Sequence, residues 1–168
     1  MSDQQIRPRA EDDLEDLVTI LAEVHLRDHF PMNWPEQPAQ WVRRASGLGA
    51  WVAELDGRLV GHVGLSSSGD GNLAPRLWSD RTGTEVERTA VVTRLFVAGQ
   101  ARGHGIGALL LGAAVSEAER RGLHPVLDVE SSNLAAVAMY ERLGWERMAT
   151  LEQQWGAHTV AVHCYTAP

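Results

Sequence analysis

Lysine is missing from this chain. All 15 basic residues are arginine, so no side chain carries a primary amine. There is one cysteine, Cys164, which excludes an internal disulfide and a cysteine-built metal site. No apolar run approaches the roughly 18 residues that a membrane-spanning helix needs. The opening MSDQQIRPRAEDD is polar and acidic, without the apolar stretch of a secretory signal. A cytoplasmic protein with no membrane partner is therefore expected. Net positive charge is missing too. At −7 the chain is a poor match for the phosphate backbone of a nucleic acid. An acidic surface favours a cationic or amine substrate only weakly, because solubility alone explains it.

What is present fits a globular protein. With 168 residues, 44% of them hydrophobic, the chain is long enough to bury one sizeable core, and no linker, repeat or low-complexity segment divides it. One domain spanning residues 1–168 is expected.

The stretch Val91 to Leu111 organises the chain. It begins as an apolar run rich in β-branched residues and passes through a loop holding Gly99, Gly103, Gly105 and Gly107. It ends in a helical pattern, with Ile106, Leu109, Leu110, Ala113 and Ala114 at the spacing of one buried face. Strand, glycine loop and helix together make an anion cradle. Glycine allows backbone turns at positive φ and close approach of a ligand, while the free N–H groups and dipole of the first helical turn face a negative charge. The loop lacks the Lys-Ser/Thr ending of a nucleoside-triphosphate loop. A dinucleotide fold would need a different chain order upstream, although Asp128 falls near the distance expected of its acidic residue.

Around this stretch the pattern predicts a first strand over Gln5–Arg9, held at a sheet edge by Pro8. A helix is predicted over Glu11–Leu26, with Leu14, Leu17, Val18, Leu21 and Val24 or His25 as its apolar stripe. A short helix over Ala39–Ala45 follows, then a hairpin of Ala50–Leu55 and Arg58–Ser66 about Asp56-Gly57. Ser67–Glu87, with Gly69, Gly71, Pro75 and Gly83, reads as a long polar loop. Strand Thr89–Val97, helix Ile106–Arg121 and strand Pro125–Glu130 come next. A helix over Leu134–Leu143 is capped by Asn133 and stopped by Gly144. A terminal hairpin, Glu146–Gln153 and Thr159–Tyr165, ends the chain.

Two motifs stand at opposite ends of this central block. The first, Arg102-Gly-His-Gly105-Ile-Gly107, has the form Arg-x-x-Gly-x-Gly. The second is Asn133-x-x-Ala136-x-x-x-Tyr140-x-x-x-Gly144-Trp145. Together, and in this element order, they resemble the GCN5-related N-acetyltransferase (GNAT) family over essentially the whole chain. Trp145 stands where the family usually has Phe. The resemblance implies an α/β (α+β) fold: a single domain with a mixed, mostly antiparallel sheet of about seven strands, split between the fourth and fifth, and about four helices.

It implies an acetyl-CoA-dependent N-acetyltransferase acting on a primary amine by direct attack on the thioester. The acceptor would be a small amine, an amino acid, an antibiotic-like amine or a peptide N-terminus. Arg102, Gly103, His104, Gly105, Ile106, Gly107 and Ala108 would wrap the pyrophosphate. Leu95, Phe96 and Val97 would pair with the pantetheine arm, an N–H near Val97 pointing at the thioester oxygen. Asn133 would serve both as helix cap and as a partner of that arm. Tyr140 would protonate the departing thiolate; a phenol near pKa about 10 and a thiol near about 8.5 make the transfer feasible. Many relatives carry a Glu on the central strand as base, but Thr89–Val97 holds no carboxylate and Arg94 is its one charged residue. Asp128 occupies a position, five residues before the Asn, that some relatives fill with Glu. Glu130, Glu87 or a water are the other routes for the proton.

A different class of function stays open beside the enzyme: a non-catalytic acyl-CoA sensor. Seven histidines raise a metal site, but none has the helical spacing of a zinc motif, so no metal is expected. His25, His29 and Trp34 are large side chains that would line an acceptor pocket or simply pack. A homodimer through terminal strands or strand edges, as many relatives form, is compatible with the chain.

Overall fold

The computed structural model describes residues 3–44, 46–68 and 72–168, with the backbone alone of Trp155. Its strands are β1 (Gln4–Pro8), β2 (Gly49–Leu55), β3 (Arg58–Ser67), β4 (Thr89–Val97), β5 (His124–Glu130), β6 (Glu146–Trp155) and β7 (His158–Thr166). Its α-helices are α1 (Leu14–Asp28), α2 (Pro38–Arg43), α3 (Ala74–Thr82), α4 (Ile106–Arg120) and α5 (Leu134–Arg142). Strand order is β1-β2-β3-β4-β5-β7-β6, and β4 with β5 is the parallel pair. The mostly antiparallel seven-stranded sheet expected from the motifs is present. Ala45, the end of the expected second helix, and Gly69 and Gly71 of the expected loop lie outside the described residues.

The chain falls into two compact units: Met1–Ser66 with Val92–Glu117, and Ser67–Val91 with Ala118–Pro168. In the first, the hairpin of β2 and β3 turns at Asp56-Gly57, both at positive φ (53° and 82°), as an Asp-Gly turn requires. β1 pairs antiparallel with β2, Gln4 opposite Leu55 through Pro8 opposite Trp51. Pro8, which cannot donate to a ladder, sits on this edge strand as expected. A 3-10 turn over Glu11–Asp13 leads into α1. Asp13 accepts from both Nη groups of Arg7 at 2.8 Å and from the Ala10 N–H at 2.6 Å. The Arg7 guanidinium beside it holds its carboxyl below the usual range. Leu14, Leu17, Ile20, Leu21 and Val24 form the buried face of α1; Ile20 takes a core place expected of Val18. On α4 the buried face is Ile106, Leu110, Leu111, Ala114 and Ala118. Leu109, expected inside, is 45% exposed.

In the second unit β5 pairs with β7, Val126 opposite Thr166 through Glu130 opposite Val162, and β6 pairs with β7 about the terminal hairpin. The parallel ladder joins Thr89, Ala90 and Val91 of β4 to His124, Pro125 and Val126 of β5. Tyr140, Trp145, Val162, Cys164 and Tyr165 are buried here. The ring of Tyr140 lies 6.0 Å from Trp145 and 5.8 Å from Tyr165, both tilted.

One expectation is corrected. The segment Ser67–Glu87 contains a fifth helix, α3, where a long loop was expected. Pro75 sits in its first turn and Gly83 ends it at φ 74°, the usual asymmetry of helix ends. No side chain of its own N-terminus caps it; the cap comes from Asp128 on β5, 54 and 55 residues downstream of the N–H groups it receives.

Candidate active site

The glycine loop lies wholly in the first unit. β4 reaches Phe96, buried and stacked on His62 at 5.3 Å, and Val97. Ala98 N–H then donates to the Val60 carbonyl (2.7 Å). A 3-10 turn over Gly99–Ala101 follows. Gly103 and Gly105 stand at φ 85° and 73°, conformations that an L side chain adopts at a cost. Nothing lies within 4 Å of where a Cβ would sit at either, so the outer side of the loop is open to a ligand.

Ile106 then buries itself and starts α4. The Leu109 N–H donates to the Gly105 carbonyl, so the N–H groups of Ile106, Gly107 and Ala108 precede the first donor of the helical ladder and have no acceptor within it. That is the geometry of an anion site. Gln4 Nε2 donates to the His104 carbonyl at 2.9 Å. In a trans peptide this turns the next N–H, that of Gly105, away from Gln4. Arg102 is engaged elsewhere: its guanidinium pairs with Asp28 and approaches the Val97 carbonyl at 3.4 Å. The wall behind the loop is α1. Glu23 accepts the Gly99 N–H at 3.0 Å and pairs with Arg27 at 3.4 Å. The Arg27 guanidinium lies where a Cβ at position 99 would be, 1.3 Å from Nη1.

Sequence reasoning singled out neither Gln4 nor Glu23, Arg27 and Asp28 of α1; no local pattern pairs residues so far apart. It also missed His62. This side chain is wholly buried on β3. Its Nδ1 donates to the Arg94 carbonyl at 2.9 Å, so Nε2, 3.0 Å from Arg9 Nη1, is the acceptor. Burial, then the cations of Arg9 and Arg94, pull its pKa down to about 4 against the Arg94 carbonyl's hydrogen bond. The imidazole is neutral at pH 7 and serves as a fixed spacer. Arg94 itself stands at φ 49° within β4, a left-handed residue inside the strand just before Leu95, Phe96 and Val97.

Asp128, Asn133 and Tyr140 lie in the second unit. The Asn133 side chain accepts from the Ala136 N–H and caps α5, and Gly144 stops that helix at φ 89°. Tyr140 is buried on α5, and burial raises its phenol pKa; it holds its proton at neutral pH. The two oxygens of Asp128 accept the N–H groups of Leu73 (2.6 Å) and Ala74 (2.8 Å). Burial raises its pKa, opposed by those two bonds and by one from Cys164. The Cys164 thiol, opposite it in the β5–β7 register, is pushed up to about 12 by burial and by Asp128. Glu130 accepts from Ser132 at 2.7 Å, and Glu87 lies in the 3-10 turn before β4. Among the described residues no group of three His, Cys, Asp or Glu is placed to hold a metal ion, and no helix is long and apolar enough to cross a membrane.

Comparison with known proteins bears on the same elements. An uncharacterized N-acetyltransferase of Methanocaldococcus jannaschii is 28% identical over 146 residues, 84% of this chain. The chain spans 60% of that relative's length. Among solved structures, yncA of Salmonella typhimurium, determined with its cofactor acetyl-CoA, has a TM-score of 0.71 at 21% identity, covering 97% of this chain and 92% of its own. A ribosomal-protein-alanine N-acetyltransferase of Brucella melitensis has a TM-score of 0.71 at 25% identity, covering 96% and 98%. The model of the acetyltransferase (GNAT) family matches residues 14–145, a span that holds both motifs, the glycine loop and Tyr140. The chain belongs to the acetyltransferase (GNAT) family.

Proposed function

We propose that this chain transfers the acetyl group of acetyl-CoA to a primary amine. The observation that carries it is the loop from Arg102 to Ala108. Two glycines at positive φ, open on their outer side, run into the first turn of α4, whose leading N–H groups have no acceptor within the helix. That arrangement fits the pyrophosphate of coenzyme A through backbone N–H groups. Acetyl-CoA would supply the activated carbonyl carbon. Because Arg102 is already paired with Asp28, its part is to hold the loop, and the backbone carries the anion.

Leu95, Phe96 and Val97 follow the left-handed Arg94, and their backbone would take the pantetheine arm as an added strand. Asn133, besides capping α5, would donate to that arm. Tyr140 would give its proton to the leaving thiolate. Burial keeps that phenol protonated at neutral pH, so the proton is present to be given. Asp128 would accept the proton of the attacking amine through water. Burial raises its pKa above the usual carboxylate value, which makes it a stronger base than a solvated Asp, and its α3 contacts hold it in one orientation.

Calorimetric titration with acetyl-CoA, coenzyme A and NAD tests the cradle. Micromolar binding of both CoA species and none of NAD is expected. Release of free thiol with a panel of amines then tests the transfer. Binding without thiol release from any amine would make the chain an acyl-CoA sensor instead.

A further inference from the structure

Arg94 is the one charged side chain on the central strand, and its backbone carbonyl and its guanidinium are both engaged. Its carbonyl receives the His62 Nδ1–H at 2.9 Å, and His62 is fixed in turn by Arg9. Its Nε donates to the Trp41 carbonyl at 3.2 Å. Its carbon Cζ lies 4.2 Å from the centroid of the Trp41 ring, and Phe30 meets that ring edge-on at 6.0 Å. A guanidinium has five N–H donors in a rigid fork. Here the Nε edge and one face are spent, while the two Nη groups have no carboxylate within ion-pair distance among the described residues. Burial weighs on the cation, and the only charge acting appreciably on it is another cation, Arg44. Every other strongly perturbed arginine has a carboxylate acting on it: Arg7 has Asp13 and Glu54, Arg9 has Glu11 and Asp13, and Arg147 has Glu141. Arg94 is thus a half-buried, oriented cation whose counter-ion the described chain does not supply.

We infer, building on the acetyl transfer proposed above, that the Nη edge of Arg94 binds an oxyanion of the acceptor, so that the acceptor is an amine bearing a carboxylate, an α-amino acid in class. The fork geometry matches a carboxylate by two parallel hydrogen bonds. The indole of Trp41 and the ring of Phe30 form the apolar side of the same place and suit a hydrocarbon or thioether side chain. Arg94 directly precedes Leu95, the first residue expected to hold the pantetheine arm. A peptide N-terminus, whose nearest carbonyl is an uncharged amide, would leave the guanidinium unpaired and pay its desolvation without return.

The test uses the whole chain and a panel of L-amino acids with apolar or thioether side chains, each beside its primary amide, with acetyl-CoA and detection of released thiol. Acetyl-CoA binding is measured separately by calorimetry. At least one free acid is expected to exceed its amide by about 100-fold in kcat/KM, mostly through KM. In Arg94→Gln that ratio is expected to collapse toward one. Arg94→Lys keeps the charge without the fork and is expected to fall between; melting curves of both variants establish that they are folded. Equal use of acids and amides by the parent, no turnover of any free acid while acetyl-CoA binds, or a preference that survives in folded Arg94→Gln would each overturn the inference. Failure of acetyl-CoA to bind would remove the acetyl transfer itself, a separate outcome.

Discussion

Asp128 is asked to do two things, and Asp128→Asn separates them. As an anchor, its carboxylate accepts the Leu73 and Ala74 N–H groups at 2.6 and 2.8 Å, one on each oxygen. An amide has one acceptor oxygen, so one of these N–H groups would face an NH2. A hydrogen bond to a charged group contributes about 1.5–3 kcal/mol, and a buried donor left unpaired costs about 1–3 kcal/mol. Partial rearrangement of α3 returns some of this, and a net loss of about 2–4 kcal/mol is expected. For a chain of this length that lowers Tm by about 5–15 °C. Urea unfolding gives the free energy, and amide hydrogen exchange at Leu73 and Ala74 localises it. As a base, Asp128 must be ionised to work. Its pKa is raised from 3.8, so the parent's kcat/KM should fall as pH drops toward that raised value, and the variant should lose this acid limb. A stability loss below about 1 kcal/mol would refute the capping account. A retained acid limb in folded Asp128→Asn would refute the base and leave Asp128 as the anchor of α3 only.

Tyr140→Phe keeps the ring between Trp145 and Tyr165. It should lower kcat by about 100-fold or more with acetyl-CoA affinity by calorimetry unchanged; equal loss in both would make the hydroxyl a packing element. Gly105→Ala forces a side chain into φ 73°, costing about 1–2 kcal/mol by urea unfolding, and it should weaken CoA binding further, since the methyl enters the open side of the loop. His62, with its pKa lowered from 6.5 to about 4, binds fewer protons folded than unfolded between those values. Stability from this residue is complete above about pH 6.5 and is lost as pH falls toward 4, by about 3 kcal/mol. Unfolding curves at pH 7 and 4.5 for the parent and His62→Gln should show the variant losing less over that interval.

Local signals account for what was legible. The Asp56-Gly57 turn, the Asn133 cap, the Gly144 stop and the β-branched run of β4 each encode their geometry within a few residues, and the elements they bound were placed to within one residue. α3 was hidden because its cap is Asp128, on a strand far along the chain. Its Pro75 and Gly83 are start and stop signals, but they were outweighed by the polarity of the stretch. Leu109 and Leu111 exchanged places because a helix face in a run of three leucines is ambiguous by one position.

The loop's supports, Gln4, Glu23 and Arg27, and the series Arg9, His62, Arg94 are contacts across the fold that no spacing announces. That series changes the meaning of the central strand. The absence of a carboxylate between Thr89 and Val97 looked like a gap in the catalytic set. In the structure the charged residue there is a cation oriented by a neutral histidine and an indole. On the inference drawn above, a carboxylate at that position would repel the acceptor's own carboxylate, which Arg94 would attract. On the reading proposed above, the lack of a carboxylate on β4 and an arginine there with no carboxylate partner among the described residues both suit an acceptor that brings its own carboxylate.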